Sequence, residues 1–179
     1  MGQYFLYANL DKGEYFEIDA LGGASKTDGV GRGAGARALG LLLLAGASTV
    51  PGVGSWRGDR VATIGDYFPP GHLPPDNLPP GHPPEVFPYA HVREHFRDIR
   101  SQVAVMLVEH DGPDELVEVA GRSDEVFVLL AELALHHGVP GIAEAVQRAF
   151  GDSWRKRYAE KRATTVLRTD APTRPAEAG

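Results

Sequence analysis

The chain contains no cysteine. Disulfides, thiolate metal sites, iron–sulfur clusters and cysteine nucleophiles are therefore excluded, and any metal site must be built from His, Asp or Glu. A long apolar run is missing too: the longest, Leu39–Ala47, falls well short of the roughly 20 residues that span a bilayer. Positive charge is in deficit. There are 18 Lys and Arg against 24 Asp and Glu, a net charge of −6, which argues against a dedicated DNA-binding domain with its basic excess. The opening MGQYFLYANLDK has no basic leader and no apolar stretch ending at a small-residue cleavage site, so no secretory signal is expected. Leu6 stands where a myristoylation motif needs Ser or Thr. These absences set the expectation of a soluble, cytoplasmic protein without a membrane partner.

What is present suits one domain. A chain of 179 residues buries enough surface for a real core, while 22 Gly and 14 Pro call for long irregular connections. The segments Gln3–Leu10 and Glu14–Asp19, rich in Tyr, Phe and Leu, flank Asp11-Lys12-Gly13 and read as a β-hairpin. Ala36–Ala47, apolar on most faces, reads as a buried helix, and Asp59–Tyr67 as a third strand joining the hairpin. From Pro69 to Pro84 the near-repeat PPGHLPPDNLPPGHPP forbids helix and favours a polyproline II surface loop. Apolar residues at Val92, Phe96, Ile99, Val103 and Met106 recur at steps of four and three, which predicts one amphipathic helix over Tyr89–Glu109, stopped by Gly112-Pro113. Ser123 is the expected N-cap of the next helix, closed by His136-His137-Gly138. Pro140 opens a final helix with its stripe at Ile142, Val146, Phe150, Trp154 and Tyr158. The expected fold is a single α+β domain over residues 1–163, a small antiparallel sheet packed on a core helix and followed by a helical C-terminal half. Residues 164–179 are expected to form a mostly mobile tail.

Two segments carry a family resemblance. MGQYF-x4-NLDKGEY at the start and WRGDRVATIGDY further on are similar to an uncharacterised family of small prokaryotic proteins with no established activity, over roughly the first 67 residues. The resemblance implies that the hairpin and third strand belong together, with polar residues at their ends lining the site. The candidate binding residues are accordingly Asn9, Asp11, Lys12, Glu14, Tyr15, Trp56, Asp59, Arg60 and Asp66.

Other constellations suggest chemistry. On the expected long helix, His91, His95, Asp98 and Gln102 share one stripe, and His91-Val-Arg-Glu94-His95 matches the inverted zincin pattern H-x-x-E-H. In that reading His91, His95 and Asp98 hold zinc or another divalent metal and Glu94 is the general base. Solvated helix-flank residues account for the same pattern. The run Gly29-x-Gly31-x-Gly33-x-Gly35 leads into a helix as a phosphate cradle does, with Arg32 and Arg37 nearby, but no strand–helix–strand unit surrounds it. His72 and His82, each in Pro-Pro-Gly-His, offer a loose metal pair or a polyproline ligand. Between Arg148 and Arg162, five cations from Arg155 to Arg162 alternate with Trp154 and Tyr158, a pattern that grips nucleic acid or simply ends a helix. No constellation unites nucleophile, base and oriented partner, so the leading expectation is a non-catalytic binding protein without a cofactor. Its partner is an unknown protein or small molecule, with self-association open and nucleic acid disfavoured. The alternatives are a metal-dependent hydrolase on His91 and His95, and a nucleic-acid binder using the basic helix.

Overall fold

A computed structural model of the chain describes residues 4–22, 30–31, 33–71, 78, 81–83, 86–139 and 141–169, with side chains through Thr164. Its sheet begins with β1 (Phe5–Asn9) and β2 (Glu14–Glu17), paired antiparallel from Leu6↔Glu17 to Asn9↔Glu14. Asn9 sets the turn. Its side-chain Oδ1 accepts the N–H groups of Asp11 (3.0 Å) and Lys12 (2.9 Å), and its backbone carbonyl accepts that of Gly13 (3.0 Å). Gly13 then takes φ +62°, which an L side chain rarely adopts. On the other side of β1 lies β3 (Val61–Gly65), antiparallel from Phe5↔Gly65 to Asn9↔Val61. A two-residue strand, β4 (Arg97–Asp98), runs parallel to β2, giving the order β3-β1-β2-β4.

Paired on both sides, β1 is also covered on both faces, so all five of its residues are buried. On one face Leu6, Ala8 and Leu10 join Tyr15 and Ile64 under Val92 of α2 (Pro88–His95), with Tyr89 and Phe96 at the margin. The other face presents Phe5, Tyr7, Phe16 and Ile18 to the main core. That core draws Ala38 and Leu42 from α1 (Gly33–Leu43), Val103 to Val108 from α3 (Arg100–Asp111), and Leu116 and Ala120 from α4 (Asp114–Ala120). It continues with Val126 to Ala131 from α5 (Asp124–Glu132), Ile142 and Val146 from α6 (Ile142–Phe150), and Trp154 and Tyr158 from α7 (Trp154–Thr169). The fold is α+β: a small mixed sheet first, a helical half after it.

The chain folds back after α1. The N–H groups of Gly54 and Trp56 donate to the carbonyls of Leu41 (2.8 Å) and Leu42 (2.9 Å), satisfying the end of that helix and fixing the approach to β3. Ser123 caps α5 as expected, its hydroxyl accepting the N–H of Val126 at 3.4 Å.

Several expectations are corrected. The single helix over Tyr89–Glu109 is two helices, because α2 ends at His95 and the chain becomes extended through Phe96. There the N–H groups of Arg97 and Ile99 donate to Gly13 (2.8 Å) and Tyr15 (2.9 Å), so the free edge of β2 captures backbone that a helix would use. Phe96 and Ile99 then serve different cores, which is why helical spacing misled. The sheet is therefore mixed, not purely antiparallel. The last helix is also broken, at Gly151 with φ +72°, and α7 continues to Thr169, past the boundary set for the tail. The short α4 was not anticipated. Gly29, Arg32, His72, Pro140, most of the Pro-rich loop and residues 170–179 lie outside the described residues. Among those described, no helix is long and apolar enough to cross a membrane.

Candidate functional site

The structure brings together seven of the nine binding residues nominated by sequence. Asn9, fully buried, donates from Nδ2 to Asp59 Oδ2 at 2.7 Å, and Lys12 Nζ reaches the same oxygen at 2.8 Å as well as the Ser55 carbonyl. Asp11 holds Arg60 twice, accepting its backbone N–H (2.7 Å) and its Nε (2.8 Å). Buried Trp56 donates from Nε1 to Glu14 at 2.8 Å, and Glu14 also pairs with Arg97. The hydrogen bond from Lys12, then that from Asn9, holds the Asp59 carboxyl below the usual carboxylate range. For Asp11 the backbone N–H of Arg60 is the main cause of the same lowering. The network clasps the hairpin turn to the entry of β3. Tyr15 and Asp66 are not part of it. Tyr15 points to the α2 face, where burial pushes its hydroxyl pKa up. Asp66 lies beyond the other end of β3, accepting the Tyr4 N–H at 3.1 Å.

Beside the clasp is a cavity of about 230 Å³ lined by Lys12, Glu14, Leu42, Gly52, Ser55, Arg97, Ile99, Gln102, Val103 and Met106. Leu42, Ile99, Val103 and Met106 are buried and form its floor, whereas Lys12, Ser55, Arg97 and Gln102 are exposed and form its rim. Sequence reasoning found Lys12, Glu14 and the neighbourhood of Trp56. It did not place Arg97 here and assigned Gln102 to the histidine stripe, because both were read on one helix that does not pass through Arg97.

The histidine stripe is dismantled by the break in the helix. His91 is buried and stacks on His95 at 4.4 Å between ring centres, and His82 meets His91 edge-on at 5.1 Å. His95 Nδ1 lies 3.0 Å from the His91 carbonyl, which can only accept, so that nitrogen carries the proton. Asp98 sits instead on β4, tied to the backbone N–H (2.9 Å) and Nε (2.8 Å) of Arg100. Glu94 is exposed on α2. Arg93 of the same helix pairs with Glu17 at 2.9 Å, and Glu17 accepts the Tyr89 hydroxyl at 3.2 Å. Among the described residues, no three His, Asp or Glu are grouped to hold a metal.

One titrating residue escaped the sequence reading. Asp19 lines a second cavity, of about 410 Å³, with Tyr4, Gly22, Val119, Arg122, Ser123 and Glu125. Asp19 as a whole is half-buried, but its Oδ1 has no accessible surface and, among the described residues, no hydrogen-bond partner. Burial first, then the charge of Glu17, pushes its carboxyl up to about 6. The signal was an acid set among Ile18, Ala20 and Leu21, all of which are buried.

The basic helix is engaged with its neighbours. Arg157 and Lys161 meet Asp124 at 3.5 and 2.7 Å, Arg162 meets Glu132 at 3.6 Å, and Arg157 also lies over the Phe127 ring at 4.2 Å. Trp154 and Tyr158 are core residues. Compared with known proteins, the chain matches no protein-family description, no curated protein and no solved structure.

Proposed function

We propose that this chain is a non-catalytic binding protein that takes a small organic anion with an apolar body in the cavity between the hairpin turn and α3. The observation that carries this reading is the make-up of the wall: two cations, Lys12 and Arg97, against one carboxylate, Glu14, above an apolar floor. An apolar pocket with a few convergent polar groups is the usual form of a small-molecule site. At about 230 Å³ it lies below the roughly 300–1,000 Å³ of drug-sized pockets, so the ligand is small. Both cations keep donors for an anion. Lys12 Nζ engages the Ser55 carbonyl and Asp59, and the Arg97 side chain engages Glu14, out of three and five N–H groups respectively. The Asn9–Asp59–Lys12 and Trp56–Glu14–Arg97 bonds hold those groups in place before the ligand arrives, which lowers the ordering cost of binding.

Benzoate and its neutral analogue benzyl alcohol provide the test, followed through the methyl resonances of Met106, Ile99 and Val103 and through thermal stability. Benzoate is expected to shift those resonances and raise the melting temperature, with benzyl alcohol at least about tenfold weaker. Arg97→Met, which keeps the apolar stem, is expected to remove the preference for the anion. Unmoved methyl resonances with both compounds, or equal affinity for the two, overturn the proposal.

A further inference from the structure

The two edges of the sheet are unlike. Natural sheets protect their edges with short strands, charges, proline or bulges, because exposed N–H and C=O groups recruit other strands. The β4 edge follows that rule, with only two residues, Arg97 and Asp98. The β3 edge does not. Val61–Gly65 (VATIG) is five residues long, uncharged and free of proline, and among the described residues it pairs with β1 alone.

The register states which groups face outward. Asp66 donates its N–H to Tyr4 (3.0 Å), and Leu10 donates to Arg60 (2.9 Å). In the alternation of an antiparallel pair, the backbone groups of Ala62 and Ile64 therefore point toward β1, and those of Val61, Thr63 and Gly65 point away from it. Among the described residues, the one outward group engaged is the Gly65 carbonyl, by the Phe68 N–H at 3.1 Å, and a carbonyl has a second lone pair.

We infer that β3 pairs antiparallel with β3 of a second copy of this chain, about a two-fold axis at Thr63, joining two four-stranded sheets into one. Thr63 then exchanges both backbone hydrogen bonds with its own copy, and Val61 pairs with Gly65 of the other protomer. Charge selects this register over its neighbours. Among pairings that oppose outward groups, it is the one that sets Arg60 of each protomer opposite Asp66 of the other, twice over, while pairing all five strand residues. Opposite charges directly across a strand pair are favourable. Arg60 is already fixed beside the strand by Asp11, and Asp66 by the Tyr4 N–H, so both are presented at the strand ends. The contact is isologous and closes on itself, so it makes a dimer and not a fibre. A five-residue strand pair is smaller than the roughly 1,200 Å² of a standard interface, which makes the association a weak, concentration-dependent one.

Sedimentation of the full chain from about 5 µM to 1 mM tests this, with circular dichroism as the check on folding. The wild type is expected to pass from monomer to dimer, with slower amide exchange at Thr63 in the dimer. Thr63→Pro removes an outward N–H and no bond to β1, and is expected to weaken the dimer at least tenfold. Arg60→Glu and Asp66→Arg each place like charges opposite one another at both ends and are expected to be monomeric alone. An equimolar mixture of those two variants restores opposite charges at both ends and should dimerise. This mixing arm decides the matter should Thr63→Pro fail to fold. A wild type monomeric at 1 mM, whether its edge is unused or takes some other extended peptide, overturns the inference. So does a folded Thr63→Pro that dimerises like the wild type, or a mixture no stronger than either variant.

Discussion

At the scale of single residues, the groups that stand out are those the fold holds at a cost. Asp19 ionises at about 6 instead of 3.8, mainly because it is buried. A carboxyl whose folded pKa lies above its unfolded value favours folding least when ionised. Its cost is absent below about pH 4, grows between pH 4 and 6 and is constant above that. The gap corresponds to at most about 3 kcal/mol, reduced to about 1–2 kcal/mol by solvent reaching the cavity that Asp19 lines. Asp19→Asn is therefore expected to raise the melting temperature by about 2–6 °C at pH 7.5, with the gain disappearing near pH 4. Melts followed by circular dichroism at the two pH values check this, and a gain equal at both would remove titration as its cause. Gly22 is held for a different reason. It has φ +82°, and a Cβ there would lie 1.8 Å from Val119 Cγ1 of α4. Gly22→Ala is expected to cost about 2–4 kcal/mol. Adding Val119→Ala should recover part of that loss, a coupling of at least about 0.5 kcal/mol in a urea-denaturation double-mutant cycle.

At the scale of elements, the hairpin depends on one side chain. Asn9→Ala leaves two turn N–H groups without an acceptor and leaves Asp59 with Lys12 but without its amide donor. A loss of about 2–3 kcal/mol in urea denaturation is expected, measured alongside faster amide exchange at Asp11 and Lys12. This hairpin was legible because its signals are local: two segments rich in Tyr, Phe and Leu on either side of the short break Asp11-Lys12-Gly13. The Ser123 cap was legible for the same reason. What could not be read was the competition between distant partners. Phe96 and Ile99 fit a helix as well as they fit two separate cores, and only the carbonyls of Gly13 and Tyr15, more than 80 residues earlier, decide the matter. The candidate site shares this division. Lys12, Glu14 and Trp56 were nominated from motifs at the ends of strands, whereas Arg97 and Gln102 reach the same cavity only because the helix breaks. Asp19 was passed over because it closes a segment, Glu14–Asp19, read only as a strand, and its chemistry comes from burial that a strand pattern does not reveal.

At the scale of the whole molecule, one cluster of buried side chains runs from Phe5 and Trp56 at the sheet to Trp154 and Tyr158 on α7. A continuous core of this kind unfolds as a unit. The two tryptophans, 0% and 1% exposed, report from its opposite parts. In urea, the fluorescence midpoint of the Trp56→Phe variant, read from Trp154, is expected to coincide with that variant's far-ultraviolet circular dichroism. The Trp154→Phe variant, read from Trp56, should behave likewise. A sheet-side transition that precedes the helical one would divide the molecule into two cooperative units. The position of β1 adds a constraint on biosynthesis. Of its neighbours only β2 follows at once; β3 comes about 50 residues later and α2 about 80 residues later. At ribosomal rates of roughly 5–20 residues per second, Phe5–Ala8 spends on the order of ten seconds in a lone hairpin, which is at best marginally stable in water. During translation this apolar strand therefore waits uncovered for the partners that make it, in the finished protein, the strand best shielded from solvent.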